Sequence, residues 1–120
     1  MSYVTGIGGL FFRADDPNAL SAWYAQHFGL LEVPKDYDAP VWTQEAGPTV
    51  FAPFARDTEY FGRTEQQFML NLRVSDLDAQ VAALQCAGIE VTVDPETYPN
   101  GRFARLHDPE GNPIELWQPT

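Results

Sequence analysis

Apolar and polar residues along the chain follow one order of elements that occurs twice. Residues 10–14 form a compact apolar run, which is typical of a strand. Residues 20–28 then carry Leu, Trp, Tyr, His and Phe at intervals of three and four, which is one face of a helix. Asp16 and Pro17 favour the start of that helix, and Gly29 favours its end.

The same order returns about 60 residues later. Residues 69–74 alternate between the two faces of a half-buried strand, and residues 75–78 have the character of a helix cap. Residues 108–113 are dense in turn formers and predict a hairpin between the segments beside them. The remaining extended segments are residues 30–33, 41–43 and 49–54 in the first half and 89–93, 102–107 and 114–118 in the second.

The order strand, helix and then about three strands, found twice, predicts an α+β fold built from two βαβββ modules. We expect a single domain over residues 1–120, with module one at about 1–58 and module two at about 66–120. Residues 55–66 are polar and contain glycine, so this segment is predicted to connect the modules.

Charge restricts the partners of the chain. The net charge is −10, with 17 acidic and 7 basic residues. Nucleic-acid affinity comes mainly from Lys and Arg, so we expect neither nucleic acid nor an anionic membrane as a partner. Cys86 is the only cysteine, and residues 1–9 lack the pattern of a signal peptide. A cytoplasmic protein is therefore expected.

Two short motifs resemble a known family. Residues 103–117, Phe-Ala-Arg-Leu-His-Asp-Pro-Glu-Gly-Asn-Pro-Ile-Glu-Leu-Trp, contain an Asp-Pro-x-Gly-Asn turn that leads into Ile-Glu-Leu. Together with residues 72–78 and 87–91, they resemble the vicinal oxygen chelate superfamily of glyoxalases, bleomycin-resistance proteins and extradiol dioxygenases. The resemblance implies two βαβββ modules whose curved mixed sheet encloses a cup, and a homodimer.

The resemblance also implies where a divalent metal would bind. The family places ligands on the first and last strand of each half, and the matching positions here include Gly9, Met69 and Glu115. Residues 49–54, the last strand of the first half, contain no acid or histidine. One carboxylate cannot hold a catalytic metal, which normally needs about three protein ligands. We therefore expect no metal and no other cofactor.

Several side chains are candidates for the cup. Glu115 and His107 are the candidate catalytic residues, and Glu115 could instead be a structural carboxylate paired with Arg105 or His107 across the hairpin. Arg102 could bind an anionic ligand group or a surface acid. Tyr60 and Phe61 could line a pocket, or belong to the core or to a dimer contact. The candidate ligand-binding residues are Phe11, Trp42, Met69, Asn71, Arg73, Phe103, Arg105 and Trp117.

Strand alternation predicts two separate faces. The side chains expected to pack beneath the helices are Leu10, Phe12, Leu70, Leu72, Val74, Ile114 and Leu116. Those expected to face the cup are Gly9, Phe11, Met69, Asn71, Glu115 and Trp117.

Three functions remain open at this point. The first is a protein that binds a small aromatic or amphipathic molecule without a catalytic metal. The second is an enzyme of the lyase, isomerase or dioxygenase type with an atypical site around Glu115. The third is a structural or regulatory dimer without a ligand of its own.

Overall fold

The structure is a computed structural model that describes residues 3–120. Residues 1 and 2, with which the predicted module one begins, lie outside the described residues. Among the described residues, no helix is long and apolar enough to cross a membrane. The elements are α1 (Pro17–Phe28), β1 (Leu70–Arg73), α2 (Leu77–Cys86), β2 (Thr92–Val93), β3 (Gly101–His107) and β4 (Pro113–Pro119).

The four strands form one mixed sheet in the order β1-β4-β3-β2. β1 runs parallel to β4, whereas β3 pairs antiparallel with both β4 and β2. The hairpin predicted around residues 108–113 joins β3 to β4. The α+β class is therefore confirmed, and the second half forms the strand, helix and strands that its pattern predicts. The division into modules at 58 and 66 stays a prediction.

Both predicted helix starts depend on an aspartate cap. Asp16 accepts a hydrogen bond from the backbone N–H of Ala19 at 3.1 Å, and Asp76 accepts one from Ala79 at 3.1 Å. Each carboxylate satisfies a donor that has no partner inside its helix. Gly29 ends α1 in the left-handed conformation, at φ 71°, which glycine adopts without steric cost.

The core lies between one face of the sheet and the two helices. α1 comes from the first half of the chain, yet it packs on strands of the second half. Leu72, predicted to face the helices, is half-buried against this core, as are Leu70 and Val74. The buried members are Leu20, Tyr24, Leu77, Val81, Leu84, Ala104, Leu106, Ile114 and Leu116.

The first half differs from its prediction. Among residues 3–69 the structure forms α1 but no strand, so the predicted strand segments run without strand partners. Leu10 is 49% exposed and Phe12 is 39% exposed, so the prediction that they pack beneath the helices was wrong. The physical reason is that strands of the second half supply the sheet surface under both helices, and an apolar pattern alone does not supply a pairing partner.

The turn between β3 and β4 holds α1 in place. Buried Asp108 accepts a 2.7 Å hydrogen bond from the Tyr24 hydroxyl, and also bonds from the backbone and side chain of Asn112. Glu110, two residues further on, accepts from the backbone N–H groups of Asp15 and Asp16 at 2.7 and 3.0 Å. The Asp-Pro-x-Gly-Asn motif therefore acts as a docking point for the helix of the other half.

The environment of Tyr24 makes its hydroxyl difficult to ionise. Burial, the hydrogen bond to Asp108 and the charge of Asp108, in that order, raise the pKa of Tyr24 well above its ordinary value near 10. A group whose pKa is raised in the folded state stabilises the fold fully below its unfolded pKa. That contribution is lost as the pH rises above about 10, because only the unfolded chain then releases the proton.

Tyr24→Phe is expected to lower the free energy of unfolding at pH 7 by about 1.5–3 kcal/mol, the usual range for a hydrogen bond to a charged group. The same substitution should make the loss of stability above pH 10 shallower. Urea unfolding from pH 7 to 11 measures both effects. Tyr37→Phe is the control, because Tyr37 is fully exposed. Equal pH profiles for the two variants would contradict the role assigned to Tyr24.

Candidate functional site

The face of the sheet away from the helices carries two rows of side chains. The strand register places Asn71, Glu115, Arg105 and Thr92 side by side across all four strands, and we call this set the polar row. One step along, Arg73, Trp117 and Phe103 form the aromatic row. Alternation along each strand separates both rows from the core, since Ile114 and Leu116 of β4 point to the helices while Glu115 and Trp117 do not.

Glu115 is the centre of the polar row. Its residue is 7% exposed, and its carboxylate accepts 2.5 Å and 2.8 Å hydrogen bonds from the Tyr60 hydroxyl and the Asn71 amide. The alternative in which Glu115 pairs with Arg105 or His107 is not the arrangement in the structure, where Tyr60 and Asn71 are the partners. Arg105 lies directly opposite Glu115 but bonds the backbone carbonyl of Tyr60 and the sulfur of Met69, the latter at 3.1 Å.

Tyr60 reaches this row from the connector between the two halves. Its ring stacks on Phe54 with centroids 5.5 Å apart, and the Arg105 guanidinium carbon lies 4.5 Å from its centroid. Burial, followed by the hydrogen bond and the charge of Glu115, raises the pKa of Tyr60 to about 12. The phenol is therefore protonated at neutral pH and acts as the donor to the carboxylate.

The polar row opens onto a cavity of about 570 Å³, which we call the cup cavity. Its rim includes Tyr98, which donates to Asp94 at 2.8 Å and meets Phe103 edge-on. Phe103 in turn lies parallel to Trp117, with ring centroids 6.5 Å apart. The cavity is lined by Tyr60, Thr92, Val93, Asp94, Pro95, Tyr98, Asn100, Phe103, Arg105 and Glu115.

Trp117 is fixed beside Phe103 on the same face of the sheet. Its indole N–H donates to the carbonyl of Asn100 at 2.8 Å. A Cβ on Gly101 would lie 2.8 Å from that indole nitrogen and 2.2 Å from the carbonyl oxygen of Gln118, and the φ of Gly101 is 136°. Glycine is thus required at the start of β3, where both the space and the backbone conformation exclude a side chain.

A second cavity of about 750 Å³ lies at the other edge of the sheet, between β1, α2 and residues 44–50, and Trp42 lines it. Arg73 ties residues 44–50 to the sheet by donating to the carbonyls of Glu45 and Pro48 at 2.7 and 2.6 Å. The close approach depends on Gly47, since a Cβ there would lie 2.9 Å from the Arg73 guanidinium carbon. The guanidinium of Arg73 is therefore committed to the chain itself.

The structure brings together only some of the predicted site residues. His107, paired with Pro113 at the end of the hairpin, is exposed and lines neither cavity. Phe11 is 98% exposed and also lies outside both cavities, which differs from its predicted position in the cup. The residues that do meet around the polar and aromatic rows are Met69, Asn71, Phe103, Arg105, Glu115 and Trp117.

Tyr60 is the side chain of the candidate site that the sequence identified least clearly. The pattern marked it as one of several aromatic residues that could line a pocket, core or dimer contact, and it lies in the predicted connector. Neither periodicity nor the family motif links position 60 to position 115. The available signal was a pair of aromatic residues, Tyr60 and Phe61, in an otherwise polar segment.

Arg102 lies on β3 next to Phe103 but points away from the site. It forms a bidentate ion pair with Asp78 of α2, with N–O distances of 3.0 and 3.1 Å, and the pair lowers the pKa of Asp78. Of the two interpretations of Arg102, the surface pair is the one the structure contains.

The side chains at the family's metal positions do not fit a metal. Gly9 offers no donor, the Met69 sulfur contacts Arg105, and both carboxylate oxygens of Glu115 accept hydrogen bonds within the chain. In residues 3–120 no group of three or more His, Cys, Asp or Glu side chains is placed to hold an ion.

Solved structures from several bacteria resemble this fold. The antibiotic-binding protein TnmS3 from Streptomyces sp. CB03234 is 25% identical, with all of both chains covered and a TM-score of 0.64. A lactoylglutathione lyase from Agrobacterium tumefaciens is 18% identical over 96% of this chain and 94% of its own, with a TM-score of 0.57, and shows the fold alone.

A glyoxalase/bleomycin resistance protein from the same Streptomyces strain is 42% identical, but the match covers 44% of this chain and 46% of that protein, with a TM-score of 0.39. The chain thus spans about half the length of this relative. A comparison with curated protein sequences finds no significant match.

A family model described as a glyoxalase-like domain matches residues 9–117, which is nearly the whole chain. The order of elements, the Asp-Pro-x-Gly-Asn turn and the position of Glu115 on the last strand agree with that match. The chain therefore belongs to the glyoxalase-like family of the vicinal oxygen chelate superfamily.

Proposed function

We propose that this protein binds a small aromatic or amphipathic molecule in the cup cavity and does so without a catalytic metal. The observation that carries the proposal is the buried Glu115 carboxylate, held by Tyr60 and Asn71 at the wall of a cavity lined by aromatic rings. Pockets for organic ligands combine mostly apolar walls with a few placed polar groups, and typically enclose about 300–1,000 Å³. The cup cavity has both properties.

The relative TnmS3 supports the same proposal. Its description is that of an antibiotic-binding protein, and the two chains align over their whole length at 25% identity. We propose that this chain, like TnmS3, binds a small organic molecule, and we do not assign it the antibiotic that TnmS3 binds. An enzyme using Glu115 and His107 together has less support, because His107 is exposed and lines neither cavity.

We also propose that the protein is a cytoplasmic homodimer. The first half exposes many large apolar side chains, among them Phe11, Val33 and Phe51, each more than 80% exposed. Exposed apolar surface on this scale is typical of a protein contact. A second copy of the chain is the proposed partner. The free Cys86 thiol is compatible with a reducing compartment.

Aromatic amphiphiles are expected to raise the melting temperature, because a ligand that binds only the folded state stabilises it, whereas small polyanions such as pyrophosphate should not. For a confirmed ligand, Glu115→Gln and Phe103→Ala should each weaken binding about tenfold or more, as measured by calorimetry. Asp78→Asn is the matched control, since Asp78 pairs with Arg102 outside the cavity. Stabilisation by polyanions alone would contradict the proposal.

The purified protein is expected to carry well below one equivalent of transition metal per chain. The reason is the donor set at positions 9, 69 and 115, which offers one carboxylate and a thioether. Elemental analysis after dialysis gives the metal content, and added Zn²⁺ or Ni²⁺ should leave the melting temperature unchanged. One equivalent of metal that survives dialysis and is lost in Glu115→Gln would overturn this expectation.

Light scattering is expected to give twice the 13.4 kDa chain mass. Each copy carries a charge of −10, so salt at about 1 M, where the Debye length is about 3 Å, should strengthen the dimer by screening repulsion. Phe51→Ser should weaken association, whereas Gln85→Ser, at an exposed polar position of α2, serves as the control. A monomer at every concentration and salt level would rule out the dimer.

A further inference from the structure

We propose that the Tyr60 side chain occupies the cup as a stand-in for the ligand, and that the ligand is a neutral molecule with a hydroxylated aromatic ring that replaces it. This inference rests on the proposed function and names its ligand class. Tyr60 is then a specificity-determining residue, because any ligand must compete with its phenol.

The phenol of Tyr60 is recognised as a ligand would be. Its hydroxyl donates to the Glu115 carboxylate, which Asn71 holds from the other oxygen. The Arg105 guanidinium covers one part of the ring at 4.5 Å, and the Phe54 ring stacks on it. Three different side chains therefore contact the phenol: Glu115 binds its hydroxyl, and Arg105 and Phe54 contact its ring.

The polar side chains that bind the phenol lie on strands, whereas Tyr60 itself lies on the connector. Glu115, Asn71 and Arg105 lie on three adjacent strands, whose register fixes their positions. Tyr60 lies in a segment without helix or strand and is 41% exposed. The sheet therefore provides a rigid receptor, and the connector provides a phenol that can leave without breaking any strand pairing.

When Tyr60 leaves the cup, the group that replaces it must provide a hydrogen-bond donor to Glu115. One oxygen of the nearly buried Glu115 carboxylate would lose its donor, and an unsatisfied buried acceptor is costly. A ligand hydroxyl restores that hydrogen bond, whereas a plain ring does not. Sites built to bond a hydroxyl discriminate strongly against analogues that lack it.

The charges in the cavity further restrict the ligand. An aromatic carboxylate would be repelled by Glu115 and by Asp94 on the rim. An aromatic cation would meet the Arg105 guanidinium above the ring position. A neutral phenol avoids both repulsions, and it can also use the ring contacts that Tyr60 makes.

The test uses p-cresol, which matches the tyrosine side chain, and toluene, which lacks only the hydroxyl. In Tyr60→Ala, we expect p-cresol to bind at least about tenfold more tightly than in the wild type, where the tethered phenol competes at an effective concentration of the order of millimolar. Toluene and 4-methylbenzoate should bind the variant at least about tenfold more weakly than p-cresol does. Calorimetry measures all three.

Tyr37 offers a control tyrosine, because it is fully exposed and lines neither cavity. Tyr37→Ala should leave the affinity for p-cresol at the wild-type value. In the double variant Tyr60→Ala and Glu115→Gln, the preference for p-cresol over toluene should fall several-fold, because a charged acceptor bonds a hydroxyl more strongly than an amide does. Equal gains in the Tyr60 and Tyr37 variants would overturn the inference.

A conservative pair covers the case in which Tyr60→Ala does not fold. Tyr60→Phe keeps the ring but loses the bond to Glu115, so p-cresol should bind it more tightly than the wild type. The control variant Tyr37→Phe should match the wild type. If amphiphiles bind the wild type but no Tyr60 variant gains p-cresol affinity, the stand-in role fails and the proposed function stands. If p-cresol binds only the Tyr60 variants and no amphiphile binds the wild type, the stand-in role stands and binding to the wild-type cup fails.

Discussion

The fold depends on the hydrogen bond between Tyr24 and Asp108. Tyr24 belongs to the helix of the first half, and Asp108 to the hairpin turn of the second, 84 residues later. Asp108 also accepts bonds from three groups within its own turn, so the carboxylate fixes the turn and the helix at once. Without this contact, α1 would keep its apolar packing on the sheet and hydrogen bonds at its two ends, to Glu110 and from Gln80, but it would lose the buried polar contact at its middle. Apolar packing specifies the angle and register of a helix less narrowly.

The hydrogen bond between Tyr24 and Asp108 holds α1 on the same face of the sheet as α2. The opposite face is therefore open for the candidate site. With both helices on one side, strand alternation places Ile114 and Leu116 in the core and Glu115 and Trp117 on the open side. A carboxylate can be nearly buried there because Asn71 comes from the neighbouring strand and Tyr60 from the connector. Each carboxylate oxygen therefore has a donor, which is the condition for burying a charge at moderate cost.

The sequence predicts the second half well and the first half poorly. Asp76, the alternation of residues 69–74 and the turn at 108–113 each act locally, so their pattern is sufficient. The strands expected in residues 10–54 depend on distant partners, and an apolar run does not specify them. The same distinction applies to the site. Strand register places Asn71 and Arg105 beside Glu115, so the sequence pattern predicts their proximity. The contact of Tyr60 with Glu115 depends instead on the path of an irregular segment, which the pattern does not predict. The same holds for Phe11, whose predicted position in the cup assumed a strand that does not form.

The attachment of Tyr60 and Phe54 to the connector has an evolutionary consequence. Both residues lie outside the helices, the strands and the buried core, so mutations in this segment leave the strand pairings and the core unchanged, provided that Glu115 keeps a donor in place of Tyr60. Mutations at Glu115 or Trp117, in contrast, act on a strand that crosses the core. Ligand range and foldability are therefore encoded in different parts of the gene, and directed evolution toward new ligands would start most productively from a library confined to residues 54–61.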